Sequence, residues 1–264
     1  MKPIKLRLLL MLTTLVLGLN AFAQEKAVEE QEKMWQMYAV HEDQVKPSMV
    51  MQYEQTAKMF ADKMREHKIK DGGYLVTSSD DFRYLYVNPI EKFEEANDNP
   101  GMAELSEKMG EDAFGKMMAG FSPCYDKHGS YMIWLDKECT YMPEGITQTP
   151  EGQNYRKFYY IYFSPQNQGK IREAMMEVKA LFAKKNSKTY YRVYWSGYGN
   201  MDSYIMVAVA AKDPVELEQR AAANDALLGE EAGPAFAKVM ALALKMEEVT
   251  ASIRPDLGYT PPKN

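Results

Sequence analysis

The sequence predicts an α+β fold made of two tandem copies of one β-α-β-β-α-β unit. Three observations predict it. Ala113–Met118 reads Ala-Phe-Gly-Lys-Met-Met and Ala235–Met240 reads Ala-Phe-Ala-Lys-Val-Met, an echo 122 positions apart. Further echoes keep the same order: Phe60-Ala61 with Phe182-Ala183, Ala96-Asn97-Asp98 with Ala223-Asn224-Asp225, Gly110-Glu111 with Gly229-Glu230, and Tyr141-x-Pro143 with Tyr259-x-Pro261. Third, both halves show the same succession of strand and helix signals. The spacing between echoes changes only at turns and Pro/Gly breaks, where insertions are tolerated.

The chain opens with a processing segment. Lys2, Lys5 and Arg7 precede the mostly apolar Leu8–Leu19, and Ala21-Phe22-Ala23 is a small-x-small cleavage pattern. The apolar run is short for a bilayer span and charged residues follow it at once. Residues 1–23 are therefore expected to be a secretory signal, making the protein periplasmic or secreted with no membrane span after cleavage. Removing the three cations takes the formal charge from −5 to −8. Residues 24–34 form a charged extension.

In the first unit, 35–140, Trp35–Glu42 alternates as a strand. Pro47-Ser48 starts a helix running to about His67, with Met49, Tyr53, Phe60 and Met64 on one stripe. Tyr74–Thr77 and Phe82–Val87 form a hairpin around Ser78–Asp81. Pro89 opens a short helix, Ala103–Phe121 is a second helical region, and Ser130–Leu135 is the last strand. Tyr141–Asn154, rich in Pro, Gly and Thr, reads as a linker. The second unit, 155–264, repeats the order. Phe158–Phe163 is a strand, Gly169–Lys185 a helix, and Tyr190–Trp195 with Ser203–Ala210 a hairpin whose turn holds Gly197, Gly199 and Asn200. Asp213-Pro214 starts a helix, Ala235–Glu247 is the next helix, and the strand Val249–Arg254 closes the unit.

This element order is the ferredoxin-like one, a four-stranded antiparallel sheet with both helices on one face. The other face is bare and needs a partner. A strand ending in Val40-His41-Glu42, followed by Val45-Lys46-Pro47-Ser48 and an amphipathic helix, resembles the start of a dimeric α+β-barrel domain. Antibiotic-biosynthesis-monooxygenase-like and NIPSNAP-like domains belong to that superfamily. In the second unit Tyr162-Phe163-Ser164-Pro165 replaces the motif, so the copies have diverged. The resemblance implies a single-chain pseudo-dimer with a cavity between the sheets, either monomeric or weakly self-associating.

Hydrophobic content of 46% supports a substantial core, and an acidic chain without a basic stripe argues against nucleic acid as partner. Twenty Met and eighteen Tyr suit an irregular or amphipathic pocket wall as well as a core. Candidate wall residues for a small organic ligand are Tyr38, Tyr84, Tyr160, Tyr162, Tyr191, Trp195 and Tyr204. Alternation sends Tyr160 and Tyr162 to one side and Tyr159 to the other. His41, at the end of the first strand, is the one candidate catalytic base. His67 sits near a helix C-terminus and His128 in a loop. The three are far apart in sequence, so no metal site is expected, and no cofactor either. Cys124 and Cys139, the only cysteines, are expected to form a disulfide in an oxidising compartment. These features favour an exported binding domain for a small apolar or aromatic molecule. The alternatives are a cofactor-independent monooxygenase-like enzyme, as the resemblance implies, or an envelope protein-interaction module.

Overall fold

A computed structural model describes residues 34–262. The expected signal segment, 1–23, and all but the last residue of the extension lie outside the described residues. The first unit contains β1 (Trp35–Val45), α1 (Val50–Glu66), β2 (Leu75–Ser79), β3 (Arg83–Ile90), α2 (Pro100–Met109), α3 (Glu111–Ala119) and β4 (Tyr125–Asp136). The second contains β5 (Tyr155–Phe163), α4 (Gln168–Lys184), β6 (Tyr191–Ser196), β7 (Tyr204–Ala211), α5 (Pro214–Leu228), α6 (Ala232–Met240) and β8 (Ala243–Ile253). The eight strands close into one antiparallel barrel in the order β1-β3-β2-β8-β5-β7-β6-β4. Closure leaves no sheet edge unpaired. The units meet at two seams, where β2 pairs with β8 and β4 with β6.

Three cores follow from the two-residue period of a strand. On β1, Tyr38 and Val40 point into the barrel, while Val45 packs against α1. The inward faces of both units share one core that includes Leu85, Phe158 and Met206. Each outward face carries its own helical layer: α1 to α3 around Tyr53 and Leu105, and α4 to α6 around Ile171 and Leu228. Strands covered on both faces read as apolar runs. Tyr191–Trp195 is buried at every position.

Pro47–Met49 and Pro165–Asn167 form matching 3-10 turns ahead of two 17-residue helices, so this part of the repeat is offset by 118. Phe60 therefore corresponds to Val178, and its echo with Phe182 is one helical turn out of register. A four-residue slip keeps the same face, which is why the echo survives. Other boundaries also move. Pro89 lies inside β3, opposite Tyr38, instead of opening a helix. The region Ala103–Phe121 splits at Gly110, whose φ of 84° ends one helix and starts the next. Residues 243–247 leave the predicted helix and join β8, because the whole length of β5 needs a ladder partner on that side.

The unit ends cross over. Tyr141, after β4, pairs with Tyr191 of the second unit, and Tyr259, near the C-terminus, pairs with Tyr74 of the first. Each phenol donates to a carbonyl just beyond the other unit's long helix: Tyr141 to Ser187 O at 3.1 Å, and Tyr259 to Ile69 O. The stretch 141–154 is thus more than a linker. Gln148 caps one end of the barrel, donating through Nε2 to the Tyr38 hydroxyl at 2.9 Å and accepting from the Tyr194 hydroxyl. Backbone carbonyls of Thr147 and Gln148 take hydrogen bonds from the buried Arg156 and Arg192. Burial, reinforced by Arg192, pushes the Arg156 pKa down to about 9.

Candidate functional site

Of the seven aromatic candidates, Tyr38, Tyr160 and Tyr204 belong to the barrel interior and Tyr162 packs at its margin. The space enclosed there is only about 50 Å³. That is room for a water or two, far below the few hundred Å³ a small organic ligand needs. The cavity expected between the sheets is filled by its own side chains. Tyr84, Tyr191 and Trp195 do not reach it. Tyr84 faces α1 and donates to Glu54 Oε1 at 2.6 Å. Tyr191 and Trp195 lie under α4, against Phe182 and Phe163 at centroid distances of 5.2 and 5.6 Å. Tyr194, one of the strand aromatics but not among the seven candidates, is buried in the interior. Fixing the face of one neighbour on β6 would have found it.

With Gln148 closing one end, the barrel opens at the other. There a solvent-open basin of about 510 Å³ lies among Gln44, Asp81, Arg83, Glu247, Glu248 and Val249. Arg83, on the first residue of β3, donates to Asp81 Oδ2 at 2.8 Å, and its guanidinium carbon sits 5.8 Å from the Tyr160 ring centroid. The Tyr160 and Tyr204 rings meet edge to face at 5.3 Å. Around them Tyr131 donates to Glu42 Oε2 at 3.0 Å and Tyr162 to Glu247 Oε2 at 2.7 Å. Burial pushes the Tyr160 pKa up to about 12 and raises those of Tyr131, Tyr162 and Tyr204. At neutral pH these phenols are therefore protonated hydrogen-bonding groups. The charged wall of the basin can hold and orient a small polar molecule. Sequence reasoning did not single out Arg83, Glu42 or Glu247, since only strand register brings them together.

His41 is not part of this basin. It sits one residue from Glu42, so the pleat turns it to the outer face, where its Nδ1 is 3.0 Å from Ser130 Oγ. It cannot act there as a base for the interior tyrosines. His128 is not a loop residue either. β4 begins at Tyr125, and His128 lies directly opposite Asp43 of β1. Asp43 is buried, and its Oδ1 stands 3.2 Å from His41 Nε2 and 3.9 Å from His128 Nδ1. Wide separation in the sequence therefore does not keep these side chains apart in the fold. Three potential ligands converge, because strand pairing joins residues that are 85 positions apart in the chain.

The expected disulfide does not exist. Cys124 and Cys139 are both free and buried, one in each helical core. The twelve residues of β4 separate them, and at about 3.3 Å per residue that distance far exceeds the reach of a bridge.

No family profile matches the chain, and no curated protein matches it in sequence. Solved structures do match in shape. An anthrone oxidase-like protein superposes with a TM-score of 0.52 at 15% identity, over 83% of this chain and 91% of that one. A candidate monooxygenase from Fusobacterium nucleatum subsp. nucleatum gives a TM-score of 0.50 at 13% identity, over 83% and 92%. The fold is the dimeric α+β barrel. Here both halves of that barrel are in one polypeptide, as the closed strand order requires. Among the described residues, no helix of this α+β barrel is long and apolar enough to cross a membrane.

Proposed function

We propose that this α+β barrel is an exported binding protein for a small aromatic molecule bearing polar groups, held at the open mouth rather than between the sheets. The observation that carries this reading is the asymmetry of the two barrel ends. One is plugged by Gln148, while the other holds a basin of about 510 Å³ whose wall is mostly charged, with Asp81, Arg83, Glu247 and Glu248. Arg83 offers a planar cation, and the carboxylates of Glu247 and Glu248 can accept hydrogen bonds. Such a set recognises a flat molecule by stacking and by its hydroxyl or amino groups.

The test is saturation-transfer NMR with a panel of phenols, arylamines and aryl carboxylates, followed by affinity measurement. Binding is expected, and Arg83→Met with Glu247→Gln should weaken it about tenfold, equivalent to about 1.4 kcal/mol. Equal affinity in that variant would refute the mouth as the site. So would the absence of any panel binder together with native mass spectra showing no co-purified small molecule. Export is tested by fractionating cells and sequencing the mature N-terminus, expected at Gln24. A second reading, oxidation of an electron-rich aromatic, draws on the descriptions of the two similar structures. Glu42 would then be the group placed to take a proton. Oxygen uptake with a bound panel member, lost in Glu42→Gln, would favour it.

A further inference from the structure

Beneath α1, on the outer face of the first unit's sheet, lies a polar cluster that the barrel mouth does not use. Asp43 is 4% exposed, and its Oδ1 has no hydrogen-bond partner. Its other oxygen accepts from the Tyr53 hydroxyl at 2.6 Å, which lies 2.9 Å from the Tyr86 hydroxyl. A buried carboxylate oxygen without a partner is costly and calls for an explanation.

The second unit supplies an internal control. Strand and helix register place Ile161 where the first unit has Asp43, Met246 where it has His128, and Ile171 where it has Tyr53. Val207 occupies the place of Tyr86, and Tyr159 that of His41. The same fold therefore packs this spot with apolar side chains, and the architecture does not require the polar set.

We propose that His41, Asp43 and His128 bind a divalent transition-metal ion of the zinc class. Their donor atoms all lie within 4.8 Å of one another. Tetrahedral ligands at about 2.0–2.1 Å from an ion stand about 3.3 Å apart, so the 3.2 Å and 3.9 Å separations need only side-chain adjustment. Two imidazoles and one carboxylate suit zinc and its neighbours rather than magnesium or calcium. The surroundings orient each ligand. Ser130 engages His41 Nδ1 and leaves Nε2 free, Tyr53 fixes Asp43 Oδ2 and leaves Oδ1 free, and His128 stacks on Tyr125 at 5.0 Å. Both imidazoles are partly exposed, at 42% and 55% of their side chains, so an ion has a way in and water can complete its coordination.

The experiment uses the mature protein without a histidine tag, stripped with chelator. Zn²⁺ titrated by calorimetry is expected to bind once per chain, at micromolar Kd or tighter, and to raise the melting temperature. His41→Ala and His128→Ala should each weaken binding at least tenfold, and the double variant should abolish both effects. His67→Ala, at the far end of α1, should change neither. Far-UV circular dichroism checks that the variants fold. Co²⁺ bound to the unaltered chain should show the intense d–d absorption of four-coordination, a readout that needs no variant. No binding, a weak octahedral Co²⁺ spectrum, or undiminished binding in the double variant would overturn the site. The cluster would then be a bare polar contact between Asp43 and the two imidazoles.

Discussion

Asp136 shows how much a single residue can carry. It ends β4 fully buried, and its carboxylate accepts from Arg172 Nε at 2.7 Å and from the backbone amides of Glu138 and Cys139 at 2.9 and 3.0 Å. Arg172 belongs to α4, so this pair joins the two units, and its guanidinium also lies 5.3 Å from the Trp35 ring centroid. Arg172→Met would keep the stem but leave the carboxylate without its cation. A loss of roughly 2–4 kcal/mol is expected in urea unfolding. A loss under about 0.5 kcal/mol would show that the amides alone satisfy Asp136. Such pairs were illegible in the sequence, because nothing local links residues 136 and 172. Alternation along a strand was legible, and it correctly separated Tyr159 from Tyr160 and Tyr162. It fails where the face of a strand is misassigned, as for Tyr84 on β3 and along β6, which is buried on both sides. There Tyr191 and Trp195 were given to the interior that Tyr194 and Arg192 occupy.

At the scale of elements, the crossed ends of the units are the structural feature with most at stake. Leu257 and Tyr259 are buried in the first unit's helical core, and Arg254 is held by Glu54 of α1. Ending the chain after Arg254 removes both buried side chains and the Tyr74 ladder. It should cost more than about 4 kcal/mol, while Tyr259→Phe, which loses one hydrogen bond, should cost about 1 kcal/mol. Chemical denaturation of the two variants checks this, and equal losses would contradict it. The long helices and hairpins were legible because their apolar period runs for several turns. Element ends were not. The helix predicted to reach Glu247 stops at Met240, since β5 demands a partner strand that only tertiary pairing reveals. The same blindness hid the His41, Asp43 and His128 cluster, which exists only because β4 begins at Tyr125.

For the molecule as a whole, the shared interior sets a response to alkali. Burial pushes the hydroxyls of Tyr38 and Tyr160 up to about 12, against about 10 in an unfolded chain. Above pH 10 the unfolded state then binds fewer protons than the native one, so stability falls as pH rises. Below pH 10 the contribution is fully present, and between pH 10 and 12 it is lost. Each tyrosine should cost roughly 1.4 kcal/mol per pH unit across that window. Urea unfolding at pH 9 and pH 11, with phenolate absorbance as a second probe, tests this. Unchanged stability at pH 11 would mean that these hydroxyls reach solvent. The duplicated architecture was legible from the ordered echoes and the repeated element order, which together imply two bare faces packed on each other. The filling of the space between them was not, because packing density depends on rotamers that no periodicity encodes.

The exchange of ends also bears on how the chain is made. The first unit is synthesised first, yet part of its hydrophobic core is supplied by Leu257 and Tyr259, which follow the last strand of the second unit. Until β8 and these residues have emerged, that unit lacks its last buried pieces and the barrel cannot shut. Maturation of the amino-terminal half therefore waits for synthesis of the second unit, and a product cut short before Leu257 leaves the first unit's helical core incomplete.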